Sequence, residues 1–143
     1  MRRALVLAIA ACSHREPLAS CDAELRGVYR DGDQRWMILD HGPALEAYPL
    51  FPDGGPPGEI AAAPRVIDLE RPPPPADALA GTVHRRYEHG AAICEAHVPV
   101  HITSCAGDTL TAVLSDPEPP LGFSPCTWPR PAPSHVVRWR RDE

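Results

Sequence analysis

From Glu24 onward the chain alternates short apolar and polar positions, with a period near two, between clusters of turn residues. Glu24 to Arg30 sets Leu25 and Tyr29 on one face and Glu24, Arg26 and Arg30 on the other. Asp31-Gly32-Asp33 supplies a tight turn, because Asp-Gly tolerates the positive φ that hairpins demand. Arg35 to Asp40 follows as a second strand carrying Trp36, Met37, Ile38 and Leu39. After His41-Gly42-Pro43, a third strand runs from Ala44 to Phe51, with Pro49 marking an edge or the strand's end. Asp53 to Gly58 reads as a Gly/Pro loop, and Glu59 to Glu70 holds a fourth strand centred on Val66 to Leu69. Arg71 and the four prolines after it must be extended, as a stiff connection rather than a docking peptide. Pro75 to Ala80 is the one stretch that could form a turn of helix.

The second half repeats the pattern. Gly81 to Glu88 and Ala91 to Thr103 flank His89-Gly90, read as the two turn residues of a hairpin. Thr109 to Ser115 follows Ala106-Gly107-Asp108, and a proline-rich loop from Asp116 to Pro133 leads to a last strand, His135 to Arg140. The expectation is an all-β domain of about eight mainly antiparallel strands, in a small barrel or a sandwich. At 143 residues the chain holds one such domain and no second.

Residues 1–11 have a different character. Arg2 and Arg3 precede an uninterrupted apolar run, Ala4 to Ala11. As a helix this run would reach about 12 Å, whereas a bilayer core needs about 20 residues, so it suits an export signal and not a membrane span. It ends in Ile9-Ala10-Ala11-Cys12, which resembles the lipobox of bacterial lipoproteins: an aliphatic residue, two small residues, then cysteine. The resemblance implies a signal peptide over 1–11, lipid on Cys12 as the mature N-terminus, a tether over 12–20 and a domain over 21–143. Ser13 stands where an aspartate would imply inner-membrane retention, so the class rule points to the outer membrane. Multiple acyl chains give a stable anchor where one is marginal.

Cysteine arithmetic agrees with export. Assigning Cys12 to lipid leaves Cys21, Cys94, Cys105 and Cys126, an even set that predicts two disulfides in an oxidising compartment. A four-cysteine zinc site would show close pairs, which are missing. If the strands alternate up and down, Cys94 and Cys105 lie about 35 Å apart at opposite ends of one strand, too far to bond. Cys105 then emerges near Cys21 and Cys94 near the long loop, so the expected pairs are Cys21–Cys105 and Cys94–Cys126. A bend at Pro99 would instead bring Cys94 and Cys105 together.

All 14 basic residues are arginine, and the net charge of −5 becomes −7 once Arg2 and Arg3 are removed with the signal. A uniformly acidic chain is a poor partner for nucleic acid, whose phosphates need concentrated positive charge. Trp139 lies among Arg138, Arg140 and Arg141, but Asp142 and Glu143 blunt any basic patch there.

With His89-Gly90 as the turn, Glu88 pairs with Ala91 and His84 falls opposite Glu95, with His97 two residues along on the same face. His84, Glu95 and His97 then form a candidate two-histidine, one-carboxylate site for zinc or iron, and a one-residue change of register destroys it. The bland reading of the same residues is a solvated polar face. G-x-S-x-G, H-E-x-x-H and P-loop motifs are absent, as is an aspartate-rich calcium loop, so no catalytic residue is assigned. Gly27-Val28-Tyr29 resembles the Gly-x-Trp opening of lipocalins, with tyrosine in place of tryptophan. The leading expectation is a lipid-anchored envelope protein, a non-catalytic binding or structural accessory with no cofactor. Its partners are the membrane, through Cys12, and an envelope protein. The alternatives are a metal-binding protein or metal-dependent enzyme, and a lipocalin-like carrier of a small apolar ligand.

Overall fold

The computed structural model describes residues 17–50 and 61–142. The signal over 1–11, the lipidation site Cys12, the end of the third strand at Phe51 and the Asp53–Gly58 loop lie outside the described residues. The strands are β1 (Gly27–Asp31), β2 (Gln34–Asp40), β3 (Ala44–Pro49), β4 (Ala61–Ala62), β5 (Val66–Glu70), β6 (Leu79–His89), β7 (Ala92–Ala106), β8 (Thr109–Leu114), β9 (Gly122–Phe123), β10 (Cys126–Thr127) and β11 (His135–Arg141). Eight of them, β1-β2-β3-β5-β6-β7-β8-β11, pair in sequence order, all antiparallel, and β11 returns to β1. The result is a closed up-and-down barrel, which resolves the choice between barrel and sandwich.

Period-two alternation builds it. Buried and less buried positions alternate along β2, β5 and β8, and the inward set is almost wholly apolar. Ile38, Leu45, Ala47, Ile67, Leu69, Val83, Val100, Ile102, Leu110 and Ala112 fill the interior. Trp36 and Trp139 stack across it with centroids 5.4 Å apart. Trp139 is therefore a core residue; Arg138 and Arg140 face out, while Arg141 lies 5.5 Å over the buried Tyr29 ring. Gly81 marks a close backbone approach: a Cβ there would lie 1.9 Å from the Asp68 carbonyl oxygen on β5. Glycine in a strand allows such an approach.

The two ends of the barrel differ. At the base, Leu18 exchanges two backbone hydrogen bonds with Gly107, and Cys21 donates to the Ala76 carbonyl. Both Asp22 carboxylate oxygens accept from the Ala76 amide. Ala76 is fully buried there, and Pro75–Ala80 forms no helix: Leu79 already begins β6. The cysteines pair as the up-and-down order requires, Cys21 with Cys105 at the base and Cys94 with Cys126 toward the far end. The strand does not fold back at Pro99; β7 runs on, with Pro99 opposite Thr82.

One register differs from the sequence reading. His89 pairs with Ala92, so the turn residues are Gly90-Ala91, not His89-Gly90. Gly90 carries φ +61°, and glycine at the first central position is what a type II′ turn takes. The same placement recurs at Gly32, with Asp31 opposite Gln34.

Candidate functional site: a histidine pair and an open strand edge

The corrected turn rearranges the predicted metal group. His84 now faces His97, and Glu95 faces Arg86. Counting from the hydrogen-bonded pair His89–Ala92 makes His84–His97 a non-hydrogen-bonded pair, the class in which side chains approach most closely. The two Nδ1 atoms are 2.8 Å apart and the rings meet edge to face, 88° between planes. His84 Nε2 lies 3.0 Å from the Asp68 carboxylate on β5, and His97 Nε2 lies 3.8 Å from Glu95. The four groups form a chain, Asp68–His84–His97–Glu95, on the outer face of the barrel. Glu95 sits behind His97, not beside both histidines, so the triad expected from the sequence is replaced by a pair with a carboxylate behind each member. Among the described residues no three His, Cys, Asp or Glu side chains converge as a ligand group. Asp68 carried no sequence signal, because it joins the chain only once β5 is known to pair with β6.

Beside this pair, the barrel wall opens. β8 accompanies β7 only as far as Val100–Leu114, so β7 from Ala92 to Pro99 runs on without β8. By the same alternation, Ile93, Glu95 and His97 turn their backbone groups toward that open side. Pro99 offers no N–H to it, a common device on exposed edges. Alongside runs a groove of about 300 Å³, lined by Ala96, Val98, Pro117, Trp128, Pro129 and Arg130. Two ties hold its outer wall: the Cys94–Cys126 disulfide, and the Tyr87 hydroxyl, which donates to the Pro117 carbonyl at 2.6 Å. Burial raises the Tyr87 pKa, so this donor keeps its proton beyond the usual phenol range. Ile93, Leu121 and Trp128 are exposed in this region.

The mouth of the barrel, at the end opposite the base, contains a cavity of about 170 Å³. Trp36, Trp139, Val83 and Leu114 form its apolar floor, while Arg65, Asp116 and His135 stand at the rim. Arg65 ion-pairs with Asp116 and lies 5.4 Å over the Trp36 ring. His135 Nε2 is 3.9 Å from Asp116. Below this floor the interior is packed with side chains.

At the base, Asp40 and Arg71 form a buried ion pair that sequence reasoning missed. Both carboxylate oxygens accept from Arg71, at 3.1 and 2.7 Å, and also from the Leu25 and Gly42 amides, at 2.8 and 2.9 Å. Arg71 reaches further, to the carbonyls of Cys21 and Ala23. Desolvation pushes the Asp40 carboxyl up, but the Arg71 bond and the two amides outweigh it and hold its pKa below the ordinary value. Every partner here is protein, so this group ties segments together and leaves nothing facing a ligand.

Comparison with known proteins returns no relative: no family model, no curated protein and no solved structure matches the chain.

Proposed function

We propose that the protein is a lipid-anchored accessory of the bacterial cell envelope, non-catalytic, that binds an envelope protein through the end of the barrel away from its tether. The observation that carries this reading is the use of the cysteines. Four of them close two disulfides, which points to an oxidising compartment and leaves Cys12 of the lipobox-like run as the cysteine for acylation. Leu18 is pinned to the base, and the link from Cys12 to it can reach at most about 20 Å. A lipid on Cys12 would therefore hold the base near the bilayer and direct the open β7 edge and its groove outward. An unpaired edge beside an apolar groove suits a partner that adds a strand.

The test is expression of the full chain and of Cys12→Ser in a Gram-negative host, followed by membrane fractionation and intact mass under non-reducing conditions. The expected wild-type product begins at an acylated Cys12, with two disulfides, in the outer-membrane fraction. The variant should be unprocessed and lack acyl mass. Equal processing and equal membrane association of the two chains would overturn the reading.

A second reading, carriage of a small apolar molecule, is favoured by the mouth cavity. Its 170 Å³ is similar to the roughly 150 Å³ apolar cavity that takes benzene. A closed eight-stranded meander is also the architecture of lipocalins. Native mass spectrometry of the gently extracted protein should then show an added small organic mass that is lost on denaturation.

A further inference from the structure

We propose that His84 and His97 form a surface site for a divalent late transition metal, with Cu(II) bound in preference to Zn(II). The inference does not depend on the lipid anchor or on a partner. It starts from the hydrogen bond between the two Nδ1 atoms: at 2.8 Å, one nitrogen must carry a proton and the other must be bare. Each ring therefore offers, or gives up a single proton to offer, a lone pair on the same side. The opposite nitrogens already face carboxylates, His84 Nε2 toward Asp68 and His97 Nε2 toward Glu95. Histidine ligands almost always donate their second N–H to such a group, which fixes the tautomer and raises the basicity of the ligating nitrogen. Here that outer arrangement is in place for His84, at 3.0 Å from Asp68, while Glu95 stands 3.8 Å from His97 Nε2, beyond hydrogen-bond distance.

The chemistry of the donors bears on which metal: two imidazole nitrogens suit copper and zinc alike, and the order of divalent affinities places copper first. The histidine side chains retain 35% and 52% of their exposure, so water can complete the coordination. Binding replaces the proton between the rings by the ion: two N–metal bonds form, and His97 either turns its proton onto Nε2, toward Glu95, or releases one if the pair was cationic. No oxidation or reduction is involved. The site's strands are fixed independently of the ion, because β6 and β7 pair along their whole shared length.

The experiment titrates Cu(II) into the full chain carrying Cys12→Ser, so that no free thiol competes, and follows electron paramagnetic resonance and calorimetry. One equivalent should bind, with hyperfine structure from two nitrogens. His84→Ala and His97→Ala should each weaken binding at least tenfold, and Asp68→Asn by about tenfold. His101→Ala, which alters a histidine that pairs opposite Ala80 on the same strands, should leave it unchanged. Zn(II) should bind at least tenfold more weakly than Cu(II). Near-ultraviolet circular dichroism of the Trp36–Trp139 stack checks that each variant is folded. The proposal is overturned if the folded His84→Ala/His97→Ala chain binds as much Cu(II) as the parent, or if His101→Ala weakens binding as strongly as His97→Ala.

Discussion

Replacing Asp40 with asparagine should be among the most damaging single changes outside the apolar core. The side chain is 4% exposed and its partner Arg71 is 11% exposed, so water cannot compensate for a lost charge. Asparagine preserves the shape but presents an amide N–H₂ to donors that now find an acceptor, and it leaves the Arg71 guanidinium buried beside neutral carbonyls. Breaking a buried pair from one side costs about 3–5 kcal/mol. For a domain of this size each kcal/mol lowers Tm by about 4 °C, so the expected fall is about 12–20 °C in thermal unfolding at pH 7. The pH dependence supplies an independent check. Asp40 has its folded pKa depressed, so the stability it contributes is fully present above the unfolded carboxylate value, near 3.9. It is lost as pH falls through the lower folded value. The gap between parent and variant should therefore be constant near neutrality and shrink as the pH is lowered past 4. A Tm change under 3 °C, or a gap that stays constant down to the acid limit of folding, would refute the assignment of Asp40 as a buried, ionised tie.

Gly81→Ala places a methyl group against the Asp68 carbonyl, where strands β5 and β6 must part to admit it. Denaturant unfolding should show a loss of at least the 1–3 kcal/mol typical of overpacking, and a loss under 0.5 kcal/mol would contradict that close approach. Replacing Cys94 and Cys126 together with serine removes a cross-link spanning 32 residues, worth about 3.7 kcal/mol in chain entropy. Because this bond fastens the groove's outer wall, limited proteolysis of the variant should cut first between Ser115 and Ser134. Protection there equal to that of the parent would count against the tie.

The strands were legible because each half-buried segment carries its own alternation: Leu25 and Tyr29 point inward as their spacing required, and both are fully buried. Disulfide pairing was legible for a different reason. Strand direction alternates in an up-and-down sheet, so parity alone put Cys105 with Cys21 and Cys94 with Cys126. The histidine site was half legible. Hydrophobic pattern cannot choose between His89-Gly90 and Gly90-Ala91 as turn residues; the glycine's backbone preference decides, and it exchanges Glu95 for His97 opposite His84. The Asp40–Arg71 tie had no sequence signature, since Asp40 ends β2 and Arg71 follows β5, and the two meet only because β3 pairs with both strands.

The overlapping disulfides also define how the molecule would respond to tension. A pull between the two ends of the chain enters the barrel at Cys21 and crosses to Cys105, so the 84-residue span between them cannot extend. From Cys105 two covalent routes lead onward: forward through β8, or back along β7 to Cys94 and across to Cys126. The route along β7 is the shorter, so that strand would draw taut first. β7 is the strand that carries His97 and the open edge, and it would lie along the axis of force with covalent bonds at both ends.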